Sequence, residues 1–207
     1  MPLLKRHALA VVLMCWSGLA RAQTAPSEDR RPLVTLSYAL AIPASALRKE
    51  IASTSYQGFE YIVVAPLYLG WHLGVAANYN HFFESGGRRT YERERTAVTG
   101  TYYRSLTTAS LSIVNRYYLG DADRPFRVYG GVRVGVSFGD VTRRIVDRGD
   151  DASRVGLLVA PEAGFSLRLC WWLELAAGYQ FGFNTSSFGR ADHITFHGVQ
   201  VGPQIHY

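Results

Sequence analysis

Residues 61–80, YIVVAPLYLGWHLGVAANYN, carry no formal charge over a length that could cross a bilayer as a helix. Pro66, Gly70 and Gly74 interrupt the stretch, two asparagines lie near its end, and its apolar residues recur at every second position. That period belongs to a strand, whose successive side chains point to opposite faces. The segment therefore reads as two strands around a turn near residues 68–70. No other stretch is a candidate helix, so insertion into a membrane would have to be as a closed barrel. Open strands would leave backbone groups unpaired in hydrocarbon.

The same alternation organises residues 193–207, HITFHGVQVGPQIHY. Val199, Val201, Pro203, Ile205 and Tyr207 form an apolar set, and Gln200, Gly202, Gln204 and His206 lie between them. Chain ends commonly fray. A strand that keeps its pattern to a terminal aromatic residue is expected to be ordered there, closing a sheet against the first strand. Val199, Val201, Ile205 and Tyr207 are its candidate assembly positions.

Residues 1–22 have the form of a secretory leader. Lys5, Arg6 and His7 precede an apolar run over 8–19, and Ala20-Arg21-Ala22 is a small-residue cleavage pattern. Cys15 is preceded by Met14, bulkier than a lipoprotein cleavage site wants, so cleavage after Ala22 is expected. The division is then a leader over 1–22, a short periplasmic segment over 23–32 and a single barrel domain over 33–207. Loss of Cys15 leaves only Cys170, which excludes an intramolecular disulfide. Loss of Lys5, Arg6 and Arg21 lowers the formal charge from +6 to +3. The remaining arginines are spread singly, which does not suit nucleic acid.

Eight strands are expected, near 33–42, 58–67, 71–83, 105–119, 126–138, 154–169, 173–183 and 193–207. Their connections alternate between long polar segments (43–57, 84–104, 140–153 and 184–192) and short turns. An even strand number with short turns at one end and longer loops at the other is the plan of an up-and-down transmembrane barrel. It places both termini at the short-turn end. Phe83, Tyr117, Tyr118, Phe126, Trp171 and Trp172 lie near strand ends, as interfacial girdle residues would. A soluble lipocalin-like barrel has the same period with its apolar face turned inward. The pattern alone leaves that alternative open.

Several short segments carry a resemblance: Gly58-Phe59-Glu60, GVAANYNHFF from Gly74, VTGTYYR from Val98, RYYLG from Arg116, RPFRVYGG from Arg124 and APEAG from Ala160. Together they resemble the porin-like outer-membrane β-barrel superfamily, which includes small barrels of the OmpA transmembrane and OmpW type. The resemblance implies an all-β, closed antiparallel barrel in the bacterial outer membrane. It says little about activity, because one fold hosts many functions.

An outward apolar face would turn Glu60, Arg116, Arg127, Arg133, Glu162, Arg168 and Glu174 into the barrel. Opposite charges confined there should pair, since an unpaired buried charge is costly. A lumen of eight strands is just wide enough to be filled by side chains. The expectation is a structural plug of ion pairs; the alternative is a narrow, gated path for ions or small solutes. The loop over 84–104 carries Arg88, Arg89, Glu92, Arg93, Glu94 and Arg95, either mutually paired or available to phosphate-bearing headgroups.

Ser186, Ser187, Asp192 and His193 could supply a lipid-modifying hydrolase, but closeness in sequence does not provide an oriented triad. The histidines lack ligand spacing, and Gly130-Gly131 lacks the following helix of a nucleotide loop. The expectation is thus a structural or surface-interaction protein rather than an enzyme, with no cofactor or metal. Its expected partners are outer-membrane lipids, including lipopolysaccharide, and the barrel-assembly machinery acting on the last strand. Nucleic acid is not expected, and the chain is expected to be a monomer.

Overall fold

The computed structural model describes residues 31–68, 70–93, 96–120, 124–145, 148–187 and 192–207. Side chains are described outside 88–93, 96–99, 145 and 148–150. The leader expected over 1–22 lies outside these residues.

Among the described residues eight strands form one closed antiparallel barrel in chain order. They are β1 (Leu33–Ala44), β2 (Ser55–Tyr68), β3 (Trp71–Arg93), β4 (Thr96–Leu119), β5 (Phe126–Ile145), β6 (Arg148–Arg168), β7 (Leu173–Asn184) and β8 (Ile194–His206). β-Branched and aromatic residues at alternate positions favour this pleated, half-covered surface. Gly70 (φ 81°) and Gly120 (φ 95°) take left-handed conformations that only glycine adopts freely. They stand in the β2–β3 and β4–β5 connections. The last strand closes against the first from Leu33↔His206 to Ala44↔Thr195, and Tyr207 N–H donates to Pro32 O at 3.0 Å.

Register sets the barrel's shape. Following cross-strand partners from Val34 leads through Val63, Val75, Ile113, Val134, Val159, Phe183 and Thr195. The circuit returns to β1 at Ala44, ten residues beyond its start. A stagger of this size goes with strands tilted by roughly 35–45°. The 12 residues of β7 then span about 30 Å along the barrel axis.

The apolar face points outward. Leu36, Phe59, Val75, Leu111, Val134, Leu157, Leu175 and Val201 are all exposed, while Glu60, Arg116, Arg133, Glu162 and Gln200 are buried. A lipocalin-like barrel would have the reverse distribution. Trp71 and Tyr117 meet in a tilted pair with centroids 5.0 Å apart at the short-turn end, and Phe83 and Tyr103 stack at 6.2 Å towards the loop end. Tyr118, expected with the girdle residues, is instead buried in the lumen beside Tyr129. It follows the outward Tyr117 by one residue, and one step along a strand changes the face.

Three connections differ from expectation. Residues 84–104 and 140–153 are largely strand: β3 and β4 pair as far as Arg93↔Thr96, and β5 and β6 as far as Ile145↔Arg148. The charges that suggested loops are compatible with a ladder because strands beyond an apolar belt can be polar on both faces. Threonine and tyrosine at Thr90, Tyr91, Thr96, Thr99, Thr101, Tyr102 and Tyr103 favour extended backbone there. The connection expected over 43–57 contains a helix, α1 (Ser45–Glu50), and the start of β2.

Candidate functional site

The lumen is built from the inward positions of these strands. Glu60 lies on β2, Arg116 on β4, Arg133 on β5 and Glu162 on β6, all essentially buried. Arg116 Nε donates to Glu162 Oε1 at 2.5 Å and its Nη2 to Oε2 at 3.1 Å. Arg133 Nε donates to Glu162 Oε2 at 2.6 Å, while its Nη1 and Nη2 reach across the lumen to Glu60, Nη2 to Oε1 at 3.1 Å. One guanidinium thus bridges two carboxylates, and the four groups form a neutral unit. The fork geometry of arginine suits this bidentate pairing.

Two amides complete the unit. Asn78 Nδ2 lies 3.4 Å from Glu60 Oε2. The Gln200 amide, oriented to match donors with acceptors, accepts from Arg133 Nη2 at 3.0 Å and donates to Glu60 Oε1 at 2.7 Å.

A second charged unit lies nearer the short turns and centres on Glu174 of β7. Arg127 Nη2 lies 2.9 Å from both of its oxygens. Gln204 Nε2 donates to Oε2 at 2.8 Å, His206 Nε2 lies 2.8 Å from Oε1, and Arg168 Nε lies 3.6 Å from Oε1. Aromatic rings connect the two units. Arg116 stands 4.4 Å from the Tyr129 ring and Arg127 4.9 Å from the Tyr118 ring, with the two tyrosine rings 5.3 Å apart. All seven expected interior charges are therefore brought into these two units.

Sequence reasoning did not single out Tyr118, Tyr129, Gln200, Gln204 or His206 as members. Their signal was strand parity, since each is one step from an outward residue.

Apolar layers accompany the charges. Leu33, Ile62, Val64, Ala76 and Val114 pack with Tyr118 and Tyr129 towards the short turns. At the loop end, Leu47 of α1 and Ile51 just after it insert among Phe82, Leu106, Val141, Leu158, Ile194 and Phe196. Burying two such side chains stabilises the seal by about 1.5–3 kcal/mol each. Arg104 Nη1 donates to Glu50 O at 2.6 Å and lies 3.4 Å from Glu50 Oε2, and Glu84 Oε2 accepts from Ala52 N–H at 2.9 Å. These contacts anchor α1 over the opening.

The residues of the alternative hydrolase reading are not assembled. Ser186 is buried beside Asn184, whose Oδ1 accepts from Ser186 N–H at 2.9 Å, and His193 packs 5.3 Å from the Phe183 ring. No hydrogen bond joins Ser186, Ser187, Asp192 and His193 among the described residues. The side chains of Arg88, Arg89, Glu92, Arg93, Glu94 and Arg95 lie outside the described set.

The chain is thus a small closed antiparallel β-barrel with an apolar exterior around a charged lumen. The chain is similar to neisserial surface protein A, at 10% identity and TM-score 0.56, over 88% of this chain and 100% of that one. It is also similar to the attachment invasion locus protein Ail of Yersinia pestis, at 12% identity and TM-score 0.49, over 86% and 97% of the two chains. A further likeness is to E. coli outer membrane protein W, at 11% identity and TM-score 0.46, over 88% and 100%. At these identities the likeness is one of fold. No family model and no curated protein sequence matches the chain.

Proposed function

We propose that this protein is exported with removal of residues 1–22, resides in the bacterial outer membrane, and serves there as a closed structural or surface-interaction barrel. The layered lumen carries this reading. Ion-pair units alternate with apolar packing, and α1 packs at the loop end, so side chains rather than an open bore fill the interior. The apolar exterior supports a lipid environment, because a soluble surface rarely exposes so continuous an apolar area. With both termini in the periplasm, the β3–β4 and β5–β6 hairpins project from the cell, where they are available to lipopolysaccharide or another surface partner. The outward Val199, Val201, Ile205 and Tyr207 form the strand face offered to the barrel-assembly machinery.

Cell fractionation with a heat-modifiability gel, followed by planar-bilayer recording, tests the proposal. The expected result is a heat-shifted band in the outer membrane and no stepwise conductance. Reproducible conductance steps from the folded band would replace the closed barrel with a pore. Recovery in the soluble periplasm would overturn the membrane reading.

A further inference from the structure

Asn115 occupies an outward position of β4, between Ile113 and Tyr117 and opposite Leu73 of β3 and Val132 of β5. Its side chain is exposed and makes no hydrogen bond among the described residues. On β3–β6 the outward face is interrupted towards the loops by the polar row His81, Thr107, Asp140 and Ser153, with Phe83 and Tyr103 beyond it. Between the short turns and that row, Asn115 is the single non-aromatic polar side chain on the outward face of these strands, among the described residues. A carboxamide has two donors and two acceptor lone pairs. Within hydrocarbon it has no water to satisfy them.

The surroundings fit one occupant. Gly130, paired with Tyr117, leaves an open notch next to Val132: a Cβ built there would meet only Glu162 O, at 4.0 Å. Upright barrels in one membrane can be related by a two-fold axis along the bilayer normal, which apposes identical patches. Two asparagines so apposed satisfy one another reciprocally, each donating an N–H to the other's carbonyl. A lipid ester can only accept, and leaves the amide oxygen unmet.

We propose that the β3–β5 face around Asn115 is the contact between two copies of this chain in the bilayer, centred on an Asn115–Asn115 amide pair and flanked by Leu73, Ile113, Val132 and Val134. This inference rests on the membrane-spanning reading and replaces the monomer expected from sequence.

The test uses full-length mature protein labelled at Cys170 with donor or acceptor dyes and folded into phosphatidylcholine–phosphatidylglycerol vesicles. Insertion is verified first by heat-modifiability. Energy transfer above the random-proximity level is expected for the wild type. Asn115→Leu is expected to weaken association about threefold to thirtyfold, the range for membrane hydrogen-bond partners, and Asn115→Gln is expected to retain it. In a Cys170→Ser background, Asn115→Cys should cross-link to a dimer on mild oxidation. Wild-type transfer at the random level, or equal association of Asn115→Leu, overturns the dimer while leaving the barrel standing. Failure of the wild type to insert overturns the membrane reading itself, and the dimer with it.

Discussion

Arg133 on β5 and Glu60 on β2 are three strands apart in the sheet, yet their side chains meet across the lumen, with Nη2 3.1 Å from Oε1. Arg133 also holds Glu162, so a single guanidinium connects opposite walls of the barrel.

Replacing Arg133 with leucine leaves Glu60 with only its amide partners and leaves Glu162 with Arg116 alone. Removing one member of a buried ion pair costs about 3–5 kcal/mol. Urea unfolding in lipid vesicles should show that loss. The double change Arg133→Leu with Glu60→Gln should cost less than the sum of the singles, because the second change removes the stranded charge.

Glu174 accepts from Arg127 and Gln204, contacts His206 and is ion-paired with Arg168. Glu174→Gln leaves Arg127, a buried cation, without a carboxylate and loosens the junction of β7 with the closing strand. Stability should fall by about 1–3 kcal/mol, and limited proteolysis should cut earlier near residue 206 than in the wild type.

Backbone approach is closest on the last strand at Gly202. A Cβ there would lie 2.0 Å from Leu36 O and 2.6 Å from Ser37 Cα, so Gly202→Ala must push β8 away from β1. The expected cost is about 1–3 kcal/mol, visible as a smaller folded band on a heat-modifiability gel. Gly87→Ala is the control: nothing lies within 4 Å of that Cβ position, and the band should be unchanged.

Val134 stands in the middle of the outward face of β5 and is half exposed. Val134→Arg should destabilise the barrel in lipid by about 2–4 kcal/mol, as arginine does on the lipid-facing side at mid-depth. A soluble barrel would tolerate the same change with little effect, so vesicle-based unfolding of this one variant reports which solvent the face meets.

Leu47 anchors a six-residue helix with no side-chain N-cap, entered through a left-handed Ser45 (φ 48°). A helix this short has little stability of its own. Leu47→Ala should therefore release the segment locally. Protease cleavage within 45–54 is expected to rise while the barrel core remains resistant.

The two-residue alternation determined the strand number, the chain order and the division of side chains between two faces. That is why Glu60, Arg116, Arg127, Arg133, Glu162, Arg168 and Glu174 share one side by sequence alone. Alternation is local: each residue's face follows from its neighbours two positions away. The hairpin extensions were hidden because hydrophobicity stops marking a strand where its surroundings become polar on both faces. The short helix α1 was hidden because Leu47 and Ile51 are only two apolar residues in a polar stretch, and their value comes from a pocket made by β3–β6 and β8.

Which face points outward, and which charge meets which, belonged to the tertiary structure alone. Alternation is symmetric under exchange of inside and outside, and only closure of the barrel broke that symmetry. The pairing of Arg133 with both Glu60 and Glu162, and of Glu174 with four partners, depends on the ten-residue stagger accumulated around the sheet. That stagger is a property of all eight pairings together. No single strand encodes it, because it exists only once the last strand has met the first.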